Sequence, residues 1–476
     1  MMVYTVYPLE LLIPQPKHLR LSRLSVHLHS SLSSRQRTHI LSSLRRSRLP
    51  MSVRARTGVF AERTDGAERA ERMMRAKRDK KRLEKGKESW DDQLVVVFVC
   101  GMAFGIMAEK TKLTAHIRAQ LAMSSMIMIK FFLAAVASGM AICGVLSIAH
   151  PWTSQKLAAA KQHMADTMPR RAGVLVGGAL IGAGMAITNS CPATAFAQAG
   201  CGMMNAWYVI AGGVFGSLLY GILHPMLQST PFQDPEKDEE RKLSQLTSFV
   251  GDRPEIELMM PIAGVLAIVA MALEIVFDWR VQLGVVPLVG EGPLQPKDIL
   301  VIPQQFYMHM KAWAAAYAGF GFFAIMTLHV LILYRTPSSS RAYFTVASLW
   351  TKVLGRDKRS KAALEKKHPL MVSAAEFQVG NWIAVFYCLG AWLGAYGSSM
   401  MGEHWGEYED VSAPAAFIGG ALMLFGCRLA GGCPTGHGLS GMAILSTESY
   451  LAVAAMFGSG IVTQMVCGFP LPSKTS

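Results

Sequence analysis

Two Cys-Pro pairs, Cys191-Pro192 and Cys433-Pro434, are the residues of this sequence best suited to chemistry. Each pair follows a short stretch of small and polar residues that interrupts an apolar segment. Proline cannot continue a helix but fits its first turn, so each cysteine is expected at the N-cap of a new half-helix. The free N–H groups and partial positive charge at such an end can hold an anion, and they favour a thiolate. The pattern therefore predicts two anion sites, each with a thiol at its front.

The simpler interpretation is that each pair only caps a helix and packs, because free cysteine behaves as a small buried hydrophobe. The identical register of the two pairs favours the functional interpretation. Arg428 lies inside an apolar span, where it either counters an anion or pairs with a backbone carbonyl. His437 would share a helix face with Cys433, but two ligands are not a zinc site. We therefore predict no metal site and no cofactor.

The residues expected to line an anion path lie in and around the two breaks. They are Cys191, Cys433, Asn189, Ser190, Pro192, Gly432, Pro434, His437 and Arg428. The remaining cysteines lie in or beside apolar runs and are expected to be thiols rather than a disulfide framework. Packing is the expected role of Cys100, Cys143, Cys388 and Cys467, and an intermediate status is assigned to Cys201 and Cys427.

An internal repeat relates the two breaks. A shift of 242 residues aligns Gly177-Gly178-Ala179-Leu180 with Gly419-Gly420-Ala421-Leu422 and also aligns the two Cys-Pro pairs. Residues 177–217 share eleven identities with the shifted segment, which is more than this composition gives by chance. The repeated glycines are expected to allow close helix packing. They are Gly177, Gly178, Gly184, Gly419, Gly420 and Gly426.

The composition indicates a membrane protein, because only 17% of the residues are charged and 51% are hydrophobic. Soluble domains carry about 25% charged residues. We predict an all-α polytopic membrane protein with about nine spans and two inverted repeats whose helices break at the Cys-Pro motifs. The spans are expected near 93–108, 126–149, 172–188, 206–227, 256–277, 312–334, 380–401, 413–430 and 449–469.

The distribution of Lys and Arg predicts the orientation of the spans, because basic loops stay inside. The N-terminal tail and the loops 150–171 and 335–379 are basic, whereas the loop 402–412 has no Lys or Arg. The N-terminus is therefore expected inside and the C-terminus outside, and the basic loop 109–125 fits least well. In this orientation the third and eighth spans run in opposite directions. Such inverted repeats place a substrate path between the two halves.

The net charge of +15 lies mostly in residues 1–90, so it does not indicate a nucleic-acid partner. Residues 11–60 are rich in Ser, Arg and Leu and contain no acidic residue, which is typical of an organelle transit peptide. An untargeted basic tail, or an extension upstream of Met51 that is not part of the protein, are the alternatives. Plasma membrane and organelle inner membrane both stay open.

The contrast between the basic N-terminal residues and the apolar remainder of the chain predicts the domain boundaries. Residues 1–90 are expected to be a disordered basic tail, and residues 91–470 a membrane transport domain. Within that domain the repeat halves are expected at about 91–227 and 380–470, joined by 228–379.

A family resemblance rests on the residues around the breaks. Residues 426–441 read GCRLAGGCPTGHGLSG and residues 189–192 read NSCP. Together they closely resemble the YeeE/YedE sulfur-transport family, over about 91–470. The resemblance implies an hourglass-like inverted-repeat membrane protein, uptake of thiosulfate, and substrate contact at Cys191 and Cys433. Some members carry a further pathway cysteine in an early loop, whereas this chain has none between Cys100 and Cys143.

We therefore expect a transporter rather than an enzyme, passing thiosulfate or a related sulfur-containing anion. The sequence contains no P-loop, so a gradient or downstream consumption of the cargo would drive transport. The expected partners are thiosulfate or a similar small anion, the lipid bilayer and a soluble sulfur-accepting protein, with no nucleic acid. Two alternatives stay open. One is a membrane thiol oxidoreductase or persulfide carrier, and the other is a channel for selenium compounds or another small anion.

Overall fold

The structure, a computed structural model, describes most of the chain between Gln93 and Pro470. The predicted tail at 1–90, with its transit-peptide segment, lies outside the described residues. The described ranges are 93–150, 168–228, 255–282, 312–333, 338–376, 379–402 and 411–470, with residues 153, 157, 160, 164, 230, 405 and 406.

The described part of the chain is built from helices. In chain order they are α1 Gln93–Lys110, α2 Ile117–Leu121, α3 Ile127–Ala149, α4 Arg171–Thr188, α5 Thr194–Gly200, α6 Ala206–Leu227, α7 Glu255–Val276, α8 Trp279–Gln282, α9 Ala315–Leu333, α10 Ser340–Ser348, α11 Trp350–Leu354, α12 Lys358–Lys367, α13 Pro369–Ala375, α14 Val379–Met401, α15 Ala413–Leu429, the π-helical α16 Pro434–Gly441 and α17 Thr447–Cys467.

Seven of these helices are long and apolar enough to cross a membrane, namely α1, α3, α4, α6, α7, α14 and α17. The pair formed by α15 and α16 passes the same test as one span bent by 48°, with the bend at the second Cys-Pro pair. The prediction of an all-α polytopic membrane protein is confirmed. The sixth predicted span coincides with the helix α9, which is not among those counted within the described residues, so the total of nine stays a prediction.

Helices α4 and α15, which the repeat relates, pack against each other in antiparallel directions. A Cβ atom at Gly177 would lie 2.5 Å from the backbone nitrogen of Ala430, and one at Gly419 would lie 2.6 Å from Cγ2 of Thr188. The 242-residue shift converts the first contact into the second, so the interface has approximate two-fold symmetry. The repeated glycines permit this close approach because any side chain there would overlap the facing helix.

The next layer of packing repeats the same symmetry. A Cβ at Gly178 in α4 would lie 2.9 Å from Cβ of Ala455 in α17. A Cβ at Gly420 in α15 would overlap the carbonyl of Val209 in α6. Each broken helix therefore packs on the long helix that follows the other break, and this interlocking brings the two breaks together.

A buried ion pair ties helices of the connecting segment to α3. Lys130 Nζ lies 3.2 Å from Glu274 Oε1 and donates to the carbonyl of Phe277 at 2.7 Å. The other oxygen of Glu274 accepts the N–H of Ala316 at the start of α9, at 3.2 Å. The pair therefore fixes α7 and α9 against α3, since leaving either charge unpaired in this site would be costly.

Candidate functional site

The first break begins where α4 ends. Asn189 adopts the left-handed conformation with φ 53°, which stops the helix. Its Oδ1 accepts the backbone N–H of Arg118 at 2.8 Å, and its Nδ2 donates to the carbonyl of Ala115 at 3.0 Å. Asn189 therefore acts by holding the segment 115–118 over the end of α4.

Cys191 is half-buried, and hydrogen-bond donors surround its sulfur. The sulfur accepts the N–H of Thr194 at 3.4 Å and the hydroxyl of the same residue at 3.2 Å, and the N–H of Ala193 also points to it. The N-cap of α5 is Ala193, so the predicted N-cap position of Cys191 is wrong by two residues. Pro192 and Ala193 extend the turn before α5, yet the thiol still reaches the first turn. Ser190 is buried and donates to the carbonyl of Cys191 at 3.2 Å.

The second break matches the sequence expectation more closely. Gly431 has φ 77° and follows the end of α15, and Cys433 is the N-cap of α16 with Pro434 in its first turn. Gly432 allows a close contact, because a Cβ there would lie 2.8 Å from the ring of His437. The local sequence thus bends the chain by 48° between α15 and α16 over only four residues.

The Cys433 sulfur is fully buried among donors from two helices. The hydroxyls of Ser338 and Ser339 lie 3.6 Å and 3.5 Å from it. The N–H groups of Gly436, in α16, and of Ser340, at the start of α10, also point to the sulfur. The free N–H groups of two helix ends therefore converge on one thiol.

Helix α10 connects the two breaks, which sequence analysis missed. Tyr343 of α10 donates its hydroxyl to the carbonyl of Pro192 at 2.9 Å. Burial raises the pKa of Tyr343, so its hydroxyl stays protonated and can donate. The Ser338-Ser339-Ser340 run could have signalled a helix start, but it lies in a loop notable mainly for its basic residues.

The structure gives Arg428 and His437 contacts that the sequence did not specify. Arg428 donates from Nη2 to the hydroxyl of Ser340 at 3.3 Å, and its guanidinium carbon lies 5.3 Å from the centre of the Phe344 ring. His437 is buried, with Nε2 3.0 Å from the carbonyl oxygen of Ala430 and Nδ1 3.3 Å from the hydroxyl of Ser449. These contacts span the break, so His437 braces it between α15 and α17.

The structure gathers four thiols near Tyr343. Cys191, Cys388, Cys427 and Cys433 all lie close enough to interact electrostatically with it. Cys388, expected only to pack, donates to the carbonyl of Ser339 at 3.8 Å. None of the eight cysteines forms a disulfide bond. Among the described residues, no group of three or more His, Cys, Asp or Glu side chains is arranged to hold a metal ion.

A cavity of about 50 Å³ borders both breaks. Cys191 and Thr194 line it from the first break, and Pro434 and Thr435 line it from the second. The rest of its lining is apolar, mostly phenylalanine, methionine and branched aliphatic side chains, and no ionisable residue other than Cys191 is among the described lining residues. Since one water needs roughly 10–15 Å³ of such space, the cavity is of small-molecule size.

The basic residues of the loop 109–125 are not exposed, since Lys110 and Arg118 are buried and Lys112 is half-buried. Lys110 and Lys112 pair with Glu109 at 3.4 Å and 2.9 Å, and Ser398 donates to the same carboxylate at 2.6 Å. The guanidinium of Arg118 donates to carbonyls at the end of α4. These charges are therefore largely satisfied within the protein, which explains why this loop fitted the charge rule poorly.

Comparison with known proteins agrees with this architecture. The family model described as sulphur transport matches residues 110–463, which include both Cys-Pro breaks and the helix α10. No curated protein matches the chain. The family is a transporter family, and the helices described above make this chain a multi-pass integral membrane protein. The chain therefore belongs to the sulphur transport family, the YeeE/YedE family that its cysteine motifs resemble.

Proposed function

We propose that this sulfur-compound transporter passes thiosulfate, or a related sulfur-containing anion, between two thiol sites at Cys191 and Cys433. The observation that carries the proposal is the cavity, which residues of both breaks line. Two helix breaks joined by one small cavity provide a path on which cargo leaves one site and enters the other.

The chemistry of the breaks suits a soft anion. Backbone N–H groups converge on each sulfur, so the sites offer positive potential, and no basic side chain of the described residues is hydrogen-bonded to either thiol. A thiol is a weak S–H donor and a polarisable partner for a terminal sulfur atom. In this proposal the backbone N–H groups of residues 193, 194, 340 and 436 recognise charge, and the thiols of Cys191 and Cys433 recognise sulfur.

The apolar cavity suits passage rather than storage. An ion held by formal countercharges would leave slowly, and conduction needs sites weak enough to release what they bind. Thr194 and Thr435 are the hydroxyl residues among the described lining, and they offer brief hydrogen bonds beside the apolar walls. With no P-loop in the sequence, we propose that a gradient or consumption of the cargo by a soluble sulfur-accepting protein drives transport.

The test is uptake of sulfur-35-labelled thiosulfate into proteoliposomes carrying the full chain. Cys191→Ala and Cys433→Ala are each expected to reduce uptake at least tenfold. Cys143→Ala is the control, because Cys143 is a buried thiol in α3 and is not among the described residues that line the cavity. A correctly folded wild type that moves no thiosulfate would overturn the assignment of cargo.

Serine substitution separates the proposal from its rivals. Cys191→Ser and Cys433→Ser keep a donor at each site, so a transporter retains part of its uptake, whereas a redox or persulfide carrier loses all of it. Competition with selenite and sulfate tests the third candidate. Stronger inhibition by selenite than by unlabelled thiosulfate would assign the path to selenium compounds.

A further inference from the structure

We infer that Arg428, Ser340 and Ser338 form a hydrogen-bonded relay that ends on the Cys433 sulfur and makes Cys433 the more reactive of the two pathway thiols. The inference rests on the proposed function, since it concerns one of its two sites. The three residues are positioning residues, because they act on the cargo through Cys433.

The relay is continuous in the structure. Arg428 Nη2 lies 3.3 Å from Ser340 Oγ, which lies 3.2 Å from Ser338 Oγ. Ser338 Oγ in turn lies 3.6 Å from Cys433 Sγ, within the range of hydrogen bonds to sulfur. Ser340 and Cys433 are fully buried and Ser338 is half-buried, so the two ends of the Ser340–Ser338–Cys433 segment are shielded from bulk water.

The chemistry of the guanidinium sets the direction of the relay. An arginine can only donate, so the Ser340 oxygen accepts from Arg428. The one hydroxyl hydrogen of Ser340 is then free to donate to Ser338, whose own hydrogen donates to the Cys433 sulfur. Each donor in such a chain polarises the next, so the sulfur receives a stronger hydrogen bond than an isolated serine would give.

The positive charge at the far end is available for this purpose. Among the described residues no carboxylate forms an ion pair with Arg428, whose described contacts are the Ser340 hydroxyl and the face of Phe344. Arg428 is half-buried within the α15 segment, where the dielectric is lower than in bulk water, so its charge acts over several ångströms. The relay thus carries the influence of the Arg428 charge to the Cys433 thiol, which Arg428 itself does not contact.

Among the residues that the structure describes, no equivalent relay reaches Cys191. The donors to its sulfur are the N–H groups of Ala193 and Thr194 and the hydroxyl of Thr194. Position 186, which the repeat aligns with Arg428, is an alanine. The two thiols therefore differ in reactivity although their backbones are alike, and this asymmetry makes the inference testable.

The test is modification of the full-length protein by methyl methanethiosulfonate. This small reagent converts reactive cysteines into methyl disulfides and releases methanesulfinate. Mass spectrometry follows Cys433 and Cys191 separately. Ser338→Ala and Ser340→Ala are each expected to slow modification of Cys433 at least fivefold and to leave Cys191 unchanged. Ser338→Thr keeps the hydroxyl and is expected to restore the wild-type rate.

Two comparisons separate a relay from a loss of packing. Ser348→Ala removes another buried hydroxyl of α10, which donates to the carbonyl of Phe344, so the rate of Cys433 modification should not change. Cys433 in the Ser338→Ala/Ser340→Ala double variant should be modified no more slowly than in Ser338→Ala, because removing one hydroxyl already interrupts the relay. Additive slowing, or equal slowing at Cys191, would overturn the inference.

The readout also distinguishes this inference from the proposed function. If wild type transports no thiosulfate but its Cys433 rate depends on Ser338 as stated, the proposed cargo fails and the relay stands. If uptake depends on Cys433 while the rate of Cys433 modification does not depend on Ser338 or Ser340, the relay is refuted and the proposed function stands.

Discussion

Arg118 is expected to hold the first break in place, and this role can be measured. Its Nε donates to the carbonyl of Ala186 at 2.7 Å, and its Nη2 donates to the carbonyl of Ile187. These carbonyls belong to the last turn of α4, which has no helical partners for them. The guanidinium carbon also lies 5.0 Å from the centre of the Phe469 ring.

Replacing Arg118 with Met keeps an unbranched apolar stem and removes every donor. Hydrogen bonds from a charged group contribute about 1.5–3 kcal/mol each, so two of them contribute about 3–6 kcal/mol. Relief of the buried charge offsets part of that loss. We expect a net loss of about 2–4 kcal/mol in the free energy of unfolding, together with reduced thiosulfate uptake, because Asn189 and Cys191 follow directly.

The assay is size-exclusion chromatography of heated, detergent-solubilised protein, which gives a melting midpoint, combined with uptake in proteoliposomes. Arg171→Met is the matched control at the opposite end of α4. The Arg171 side chain is 45% exposed and pairs with Glu448 at 3.4 Å, and such a pair contributes about 0–1 kcal/mol. If Arg118→Met melts and transports like Arg171→Met, the capping argument is wrong.

Two further substitutions test the packing around the site. Tyr343→Phe leaves the carbonyl of the first Cys-Pro pair without its donor, so we expect a loss of about 1–2 kcal/mol in unfolding free energy and weaker uptake, measured with the same two assays. Gly184→Val places a side chain 2.6 Å from Cβ of Met423 in α15 and should abolish the monodisperse chromatographic peak. Gly458→Val is its control, because no atom lies within 4 Å of a Cβ built there; equal behaviour of the two variants would contradict the close packing of α4 and α15.

Local and periodic features of the sequence were enough for the membrane class, the position of most long helices and the two breaks. A hydropathy window covers one helix length, and proline and glycine change the backbone only in their own turn. The positions of the long helices and of the breaks can therefore be predicted without knowing the fold. The repeat added one long-range relation. Gly177 and Gly419 were expected in helix packing, and the structure places each against the helix of the other repeat.

The environment of the thiols was decided by tertiary structure. Ser338, Ser339 and Tyr343 lie far from both cysteine motifs in the chain, and no periodic pattern links them to Cys433 or Pro192. The place of Arg428 in an apolar span marked it as significant. Its hydrogen-bond partner could not be predicted, because the identity of that partner depends on where α10 packs. Arg118 was counted as a loop charge, whereas folding buries it at a helix end.

The sequence by itself thus determined where helices break, because backbone chemistry is local. Only the tertiary structure decided which side chains face the exposed N–H groups and sulfurs there, because those neighbours come from helices that meet through packing.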